Sequence, residues 1–247
     1  MRFFLDISYK GTLYHGWQIQ NNVQTVQGEL EMALGKLMRS ETPVTGSGRT
    51  DTGVHAYQQV AHFDTGQDIE PDQIVYKLNS ILPPDIVINK CRAVVEDAHA
   101  RFSAIERGYA YLMALKKTPF ASHEQLFVPY SLNIDLMNEA SSKLLGKQDF
   151  ESFSRVKTEV NHFYCDIRQA KWELQGDQLK FIVKADRFLR GMIRALVGTL
   201  IDVGRGKLSV EDFVAILEAK DRRKAGKSAS PDGLYLNRVV YPKEIFI

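Results

Sequence analysis

Cysteine is nearly absent: Cys91 and Cys165 are the only two in 247 residues, and 74 positions separate them. Such spacing builds no disulfide framework and no paired-cysteine zinc or redox motif, so both are expected to be small core residues. No apolar run approaches the 18 or so residues that span a bilayer. Asp6 and Lys10 fall where the opening MRFFLDISYKGT would need the apolar stretch of a secretory leader. A cytoplasmic protein without a membrane partner is expected. Charge of one sign is lacking too: 32 Lys and Arg against 30 Asp and Glu leave a net +2, which does not announce a polyanion partner. His55 and His62 are seven apart, a spacing that matches no common metal pattern, so they are read as structural or peripheral and no metal is expected. Repeats, low-complexity tracts and Gly/Ser linkers are also missing.

What is present is a globular mixture, with 44% hydrophobic and 25% charged residues. In MRFFLDISY, Phe3, Leu5, Ile7 and Tyr9 alternate with Arg2, Phe4, Asp6 and Ser8, which predicts a strand with one buried face. From Thr25 to Met38 the apolar set Val26, Leu30, Ala33, Leu34, Leu37 and Met38 falls at helical spacing behind a capping threonine. Further helices are predicted at 72–80, 134–145, 187–203 and 210–219. Strands are predicted through QQVAHFDT, IVINKCRAV, 109–115 and GLYLNRVVYP, with a hairpin across Gly176-Asp177. This irregular order of strands and helices favours an α+β fold with antiparallel pairing over a doubly wound parallel sheet. The division is placed near residue 103, giving an N-terminal α+β domain at 1–103 and a C-terminal one at 104–247.

The densest chemistry is GSGRTDTGVHA at 46–56. Its glycines do not fit GxGxxG, and no Lys-Ser/Thr closes it as a phosphate-cradling loop, so dinucleotide and nucleoside-triphosphate sites are excluded. Glycines at this density permit positive φ and close approach of a ligand backbone, and among them stand Arg49 and Asp51. Tyr109 and Tyr111 lie two apart on a predicted strand, so both rings face one side and offer a stacking surface. Arg107-Gly108-Tyr109-Ala110-Tyr111-Leu112 comes near the aromatic signature of RRM domains, which makes a non-catalytic RRM-like RNA-binding protein the alternative. Between 187 and 203, Arg187, Arg190 and Arg194 take helical spacing on one face beside Gly191 and Gly198, a stripe that lets a strand, carboxylate or phosphate come close. From Lys180 to Lys227 twelve basic residues face six acidic ones, leaving +6 there and −4 elsewhere. Arg187, Arg190, Arg222, Arg223 and Lys224 of that segment are the candidate RNA contacts.

Six segments in order carry a family resemblance: YKGTLYHGWQIQNNVQTVQGELEMAL, GSGRTDTGVHA, HARFSAIERGYAYLMAL, LLGKQDFESFS, FLRGMIRALVGTLIDVGRG and GLYLNRVVYP. Together they resemble the bacterial TruA family of tRNA pseudouridine synthases over nearly the whole chain. The resemblance implies a pseudouridine synthase fold of two ferredoxin-like, RRM-like halves sharing a central, mostly antiparallel sheet. It also implies a homodimer, no cofactor, and isomerisation of uridines 38, 39 and 40 in the anticodon arm of tRNA. By position, Asp51 corresponds to the family's catalytic carboxylate and Arg49 to the arginine that enters the stack as the nucleotide flips out. Tyr109 corresponds to the aromatic residue on the target uracil, and Arg194 to the basic partner that holds the carboxylate ionised. The sequence departs from the family's usual pattern at Lys10, Thr52, Gly108 and Ala110, in KTEVNHFYCDIR and in AGKSASPDGL.

Overall fold

A computed structural model describes residues 1–156 and 160–247. The chain forms two compact units, residues 1–106 with 235–247, and residues 107–234.

The first unit opens with strand β1 (Arg2–Tyr9), followed by α1 (Val26–Met38), a two-residue strand β2 (Thr45–Gly46), β3 (His55–Asp64), α2 (Pro71–Ile81) and β4 (Ile86–Val94). The threonine expected to cap α1 does so, Thr25 Oγ1 accepting from Gly28 N at 3.3 Å. Strand β1 lies between β3 and β4, antiparallel to both. The closing strand β10 (Leu234–Val240) returns to run parallel to the start of β3, with Tyr235 opposite His55. That return differs from the division at residue 103: the last strand packs in the first unit, where Val239 N also donates to Gln58 Oε1 at 3.1 Å. Phe4, expected to face outward, is buried. Tyr241 and Phe246 from the C-terminal segment cover it edge-on, at 5.1 and 6.2 Å between ring centroids, so this part of β1 has two apolar faces.

The second unit comprises β5 (Glu106–Ala114), β6 (Leu126–Phe127), α3 (Ile134–Ser142), β7 (Gly146–Asp149), β8 (Tyr164–Gln175), β9 (Gln178–Ala185), α4 (Met192–Gly204) and α5 (Val210–Glu218). Strands β5, β9, β8 and β7 pair antiparallel in that order, with β6 parallel to β5. The hairpin across Gly176-Asp177 joins β8 to β9, with Gly176 at positive φ. Its cross-strand pair Trp172 and Phe181 stacks at 4.7 Å inside the core. A reciprocal capping box, Ser209 with Asp212, starts α5.

Helix α4 corrects the expectation for 187–203. The Asp186 carboxylate accepts from the backbone N–H groups of Arg187 and Asp166, at 2.7 and 2.8 Å, and turns the chain. Gly191 then sits at φ 73, outside helical geometry, so the helix begins only at Met192. Arg187 and Arg190 therefore lie in the lead-in and share no helix face with Arg194. Every residue of α4 except Arg194 and Asp202 is buried, which makes it a central helix rather than a basic amphipathic one. Cys91 and Cys165 are free and buried, as expected, and burial pushes both thiols up to about 12. Among the described residues no helix is long and apolar enough to cross a membrane, and no group of three His, Cys, Asp or Glu could hold a metal. The departure in 157–168 begins on residues 157–159, which lie outside the described ones.

Candidate active site

In the first unit the loop 46–56 is held by residues 9–17. Tyr9 shares a hydrogen bond with Thr50 through their hydroxyls at 2.9 Å, Trp17 N donates to Thr50 O at 3.3 Å, and Gly53 N donates to Tyr14 O at 3.2 Å. Gly11 N donates to His55 Nδ1 at 3.1 Å. The Tyr14 hydroxyl donates to Asp85 at 2.6 Å, and burial with that carboxylate raises its pKa. On the β3 side, Gln59 is fully buried. Its Oε1 accepts from Ser47 Oγ at 2.5 Å and from Val60 N at 3.1 Å, while its amide nitrogen donates to Gly48 O at 3.0 Å. With these bonds the loop meets the demand that buried polar groups be paired.

The glycines serve this self-packing. A Cβ on Gly46 would come 2.4 Å from Trp17 Nε1, and one on Gly16 would come 2.3 Å from Thr50 O. Gly53 takes φ 78 beside the turn in which Val54 N donates to Asp51 O. Gly48 faces open space. The positive φ that such a loop permits is used at Gly53, while the space beside Gly46 is taken by Trp17 rather than left to a ligand. At the outer side of this frame Asp51 is half-buried and Arg49 exposed. His55 is structural, as expected: it is fully buried and stacks on Tyr235 at 4.6 Å, which stacks in turn on Tyr57 at 4.5 Å.

In the second unit Tyr109 is half-buried and held edge-on against Phe188 at 5.2 Å. Tyr111 does not share its role. The ring is fully buried and its hydroxyl donates to Ser230 O at 2.7 Å, so the expected two-ring platform reduces to one ring and the RRM-like alternative loses its support. Arg194 donates through Nε to Ala229 O at 2.7 Å, and Ala229 N donates back to Arg194 O at 2.9 Å. The same segment follows α4 further, with Gly226 N donating to Thr199 Oγ1 at 3.0 Å and Lys227 O against Gly198. The chain segment admitted by Gly198 is thus the protein's own.

Of the remaining basic candidates, Arg187 reaches His162 at 3.4 Å, and Arg190 is exposed. Arg222 is turned inward, donating to Ala225 O, Gly226 O and Ser228 Oγ. Arg223 pairs with Asp221 at 2.8 Å on the surface, and Lys224 is exposed. The structure thus joins Arg49 and Asp51 in one framed loop and sets Arg194 and Arg222 on the segment 225–229. Sequence reasoning missed the frame itself, Tyr9, Gly11, Tyr14, Gly16, Trp17 and Gln59. The signal was a second cluster of Gly and aromatic residues in YKGTLYHGW, a pattern suited to close backbone approach.

A family model described as tRNA pseudouridine synthase matches residues 7–103 and 140–242. The tRNA pseudouridine synthase A of Parabacteroides distasonis is 47% identical over 249 residues, covering 99% of this chain and 98% of its own. That of Bacteroides fragilis is 47% identical over 247 residues, with 99% and 98% covered. The Bacillus subtilis protein of the same name is 42% identical over 245 residues, with 98% and 99% covered.

Proposed function

The chain belongs to the tRNA pseudouridine synthase family, and from that premise we propose that Asp51 is the carboxylate that attacks uridine in the anticodon arm of tRNA, at positions 38, 39 and 40. Pseudouridine formation breaks the N1–C1′ bond and joins C5 to C1′. C5 gives up its proton and N1 ends protonated, so the change is an isomerisation with no net oxidation. One carboxylate suffices as the covalent participant, at C1′ or at C6 of the ring.

The observation that carries this reading is the frame: four hydrogen bonds from residues 9–17 and the buried Gln59 fix a loop whose only carboxylate is Asp51. A nucleophile held this way loses little freedom when substrate arrives. A base must leave the stack before it can react. Exposed Arg49 fits the side chain that takes its place, Tyr109 the ring that receives the uracil, and Arg194 a source of positive charge for the reaction. Arg187, Arg190, Arg223 and Lys224 fit contacts to phosphate. The strand orders β4-β1-β3-β10 and β5-β9-β8-β7, each in a unit with helices, support reading the units as two ferredoxin-like halves. The homodimer rests on the family alone and is read by sedimentation.

The test is single-turnover conversion of unmodified tRNA, with pseudouridine mapped by carbodiimide-induced reverse-transcription stops. Asp51→Asn keeps the shape and removes the anion. It is expected to lose at least roughly 10³-fold in rate, about 4 kcal/mol in the barrier, with tRNA binding retained. Conversion within tenfold of the parent would remove Asp51 as the nucleophile.

A further inference from the structure

Residues 98–103 form a loop of the first unit fastened at most of its polar backbone groups. Ala98 O accepts from Arg2 Nη1 at 2.8 Å, Ala100 O from the Tyr241 hydroxyl at 2.6 Å, and Ala100 N donates to His62 Nδ1 at 3.1 Å. Within the loop, His99 N donates to Ser103 Oγ and Ser103 N to His99 O, both at 2.9 Å, and Arg101 N donates to His99 Nδ1 at 3.1 Å. At the tip of this wiring Phe102 is 74% exposed. The His99 ring leans against it, tilted by 41° at 4.5 Å between centroids, and the Arg101 guanidinium lies over the ring, 5.3 Å from its centroid.

A single exposed phenylalanine is ordinary. A phenylalanine on a loop whose backbone is bound by Arg2, His62 and Tyr241, with one ring leaning against it and a guanidinium over it, is a pre-ordered stacking face. We propose that Phe102 and Arg101 form an RNA contact outside the Asp51 loop, a platform on which an unpaired nucleobase of the tRNA stacks while the guanidinium meets an adjacent phosphate. This rests on the reading of the chain as acting on tRNA. The stack supplies affinity that does not depend on which base is present, because every base has a π-face, and an ordered platform loses little entropy on binding.

The register of β3 separates this platform from the Asp51 end of the loop, while Gly46 at the loop's other end pairs with Ala61 beside His62. Paired residues of adjacent strands share a face, so Phe4 opposite His62 and Asp6 opposite Val60 place those residues on one side. The bulge between the Gln59 and Ala56 pairings shifts the alternation, which returns His55 and Tyr57 to that same side. His62 lies seven residues beyond His55, roughly 20 Å at strand rise. The base on Phe102 is therefore a different nucleotide from the uridine at Asp51, and the contact positions the arm rather than the target.

The experiment uses three variants of the whole protein with unmodified tRNA. Phe102→Ala is expected to weaken tRNA binding about tenfold with thermal unfolding unchanged, and Phe102→Tyr to restore it. Phe102→Trp adds an exposed indole to a chain whose Trp17 and Trp172 are each 2% exposed, and tRNA is expected to quench the added emission. A parent protein that leaves tRNA uridine unconverted removes the enzymatic reading. A parent that converts it, while Phe102→Ala binds within twofold and the added indole is unquenched, removes the platform alone. Dissociation of a dimer by Phe102→Ala, with tRNA affinity retained, also overturns it by assigning the ring to a protein contact.

Discussion

Trp17 and Gly46 meet with no room between them: a Cβ on Gly46 would lie 2.4 Å from the indole Nε1 and 2.6 Å from the adjoining ring carbon. Gly46 opens the loop that carries Asp51, and Trp17 N binds the carbonyl of Thr50, the residue before that carboxylate. The indole and the loop are thus one packed unit, and the placement of Asp51 depends on a contact between residues 29 positions apart.

Gly46→Ala is therefore expected to destabilise the protein by about 2 to 3 kcal/mol through overpacking and to lower single-turnover rate as the loop shifts. Trp17→Leu costs stability by itself but makes room. In the double variant the two losses should fall short of their sum by at least about 1 kcal/mol, which a thermal or urea unfolding cycle measures.

Gly198→Ala sets helix propensity against sterics. In a helix interior the substitution ordinarily gains about 1 kcal/mol. In α4 the new Cβ would stand 1.8 Å from Lys227 O, so the segment 225–229 must move off the helix. The expected outcome is a net loss of stability of about 2 kcal/mol or more, together with slower conversion of tRNA, since Arg194 is bound to Ala229 in the same segment. An unfolding midpoint raised by the substitution contradicts this packing.

The basic residues 222–224 divide into two kinds. Arg223→Ala and Lys224→Ala each remove an exposed charge and are expected to reduce the log–log salt slope of tRNA binding by roughly 0.7 to 0.9. Arg222→Ala instead removes three hydrogen bonds that shape 225–228. It is expected to lower the unfolding midpoint while moving the slope less, and a salt titration beside a thermal melt separates the two effects.

What sequence makes legible is what repeats locally. Alternation in β1, the spacing of Val26 to Met38 in α1 and the Gly176-Asp177 turn each report their element because neighbouring side chains share one environment. The start of α4 is illegible by the same rule. Arg187 and Arg190 fit helical spacing, and only the Asp186 carboxylate and the positive φ of Gly191 exclude them. Burial of Phe4 depends on residues more than 230 positions away, and the frame around Asp51 on contacts between 9–17 and 46–55. Glycine density marks the loop as tightly packed, yet periodicity holds no information about what packs against it.

His62 provides the last prediction, a pH dependence with a definite direction. Burial first, then the charges of Arg2 and His99, lower its pKa to about 4, so the ring is neutral in the folded protein at neutral pH and its Nδ1 accepts from Ala100 N. In the unfolded chain the same group titrates near 6.5. Above that value both states are neutral and the full contribution to stability is present. As pH falls from about 6.5 toward 4 the unfolded chain takes up a proton that the folded protein does not, and stability declines by up to about 3 kcal/mol. Below about 4 both states are protonated and this contribution stops changing. His62→Asn retains an acceptor near the Nδ1 position without a titrating group. Its urea-unfolding free energy is expected to be flatter than the parent's between pH 6.5 and 4.5, the difference between the two curves closing as pH falls. Parallel curves across that interval would show that the bond to Ala100 does not depend on a neutral His62.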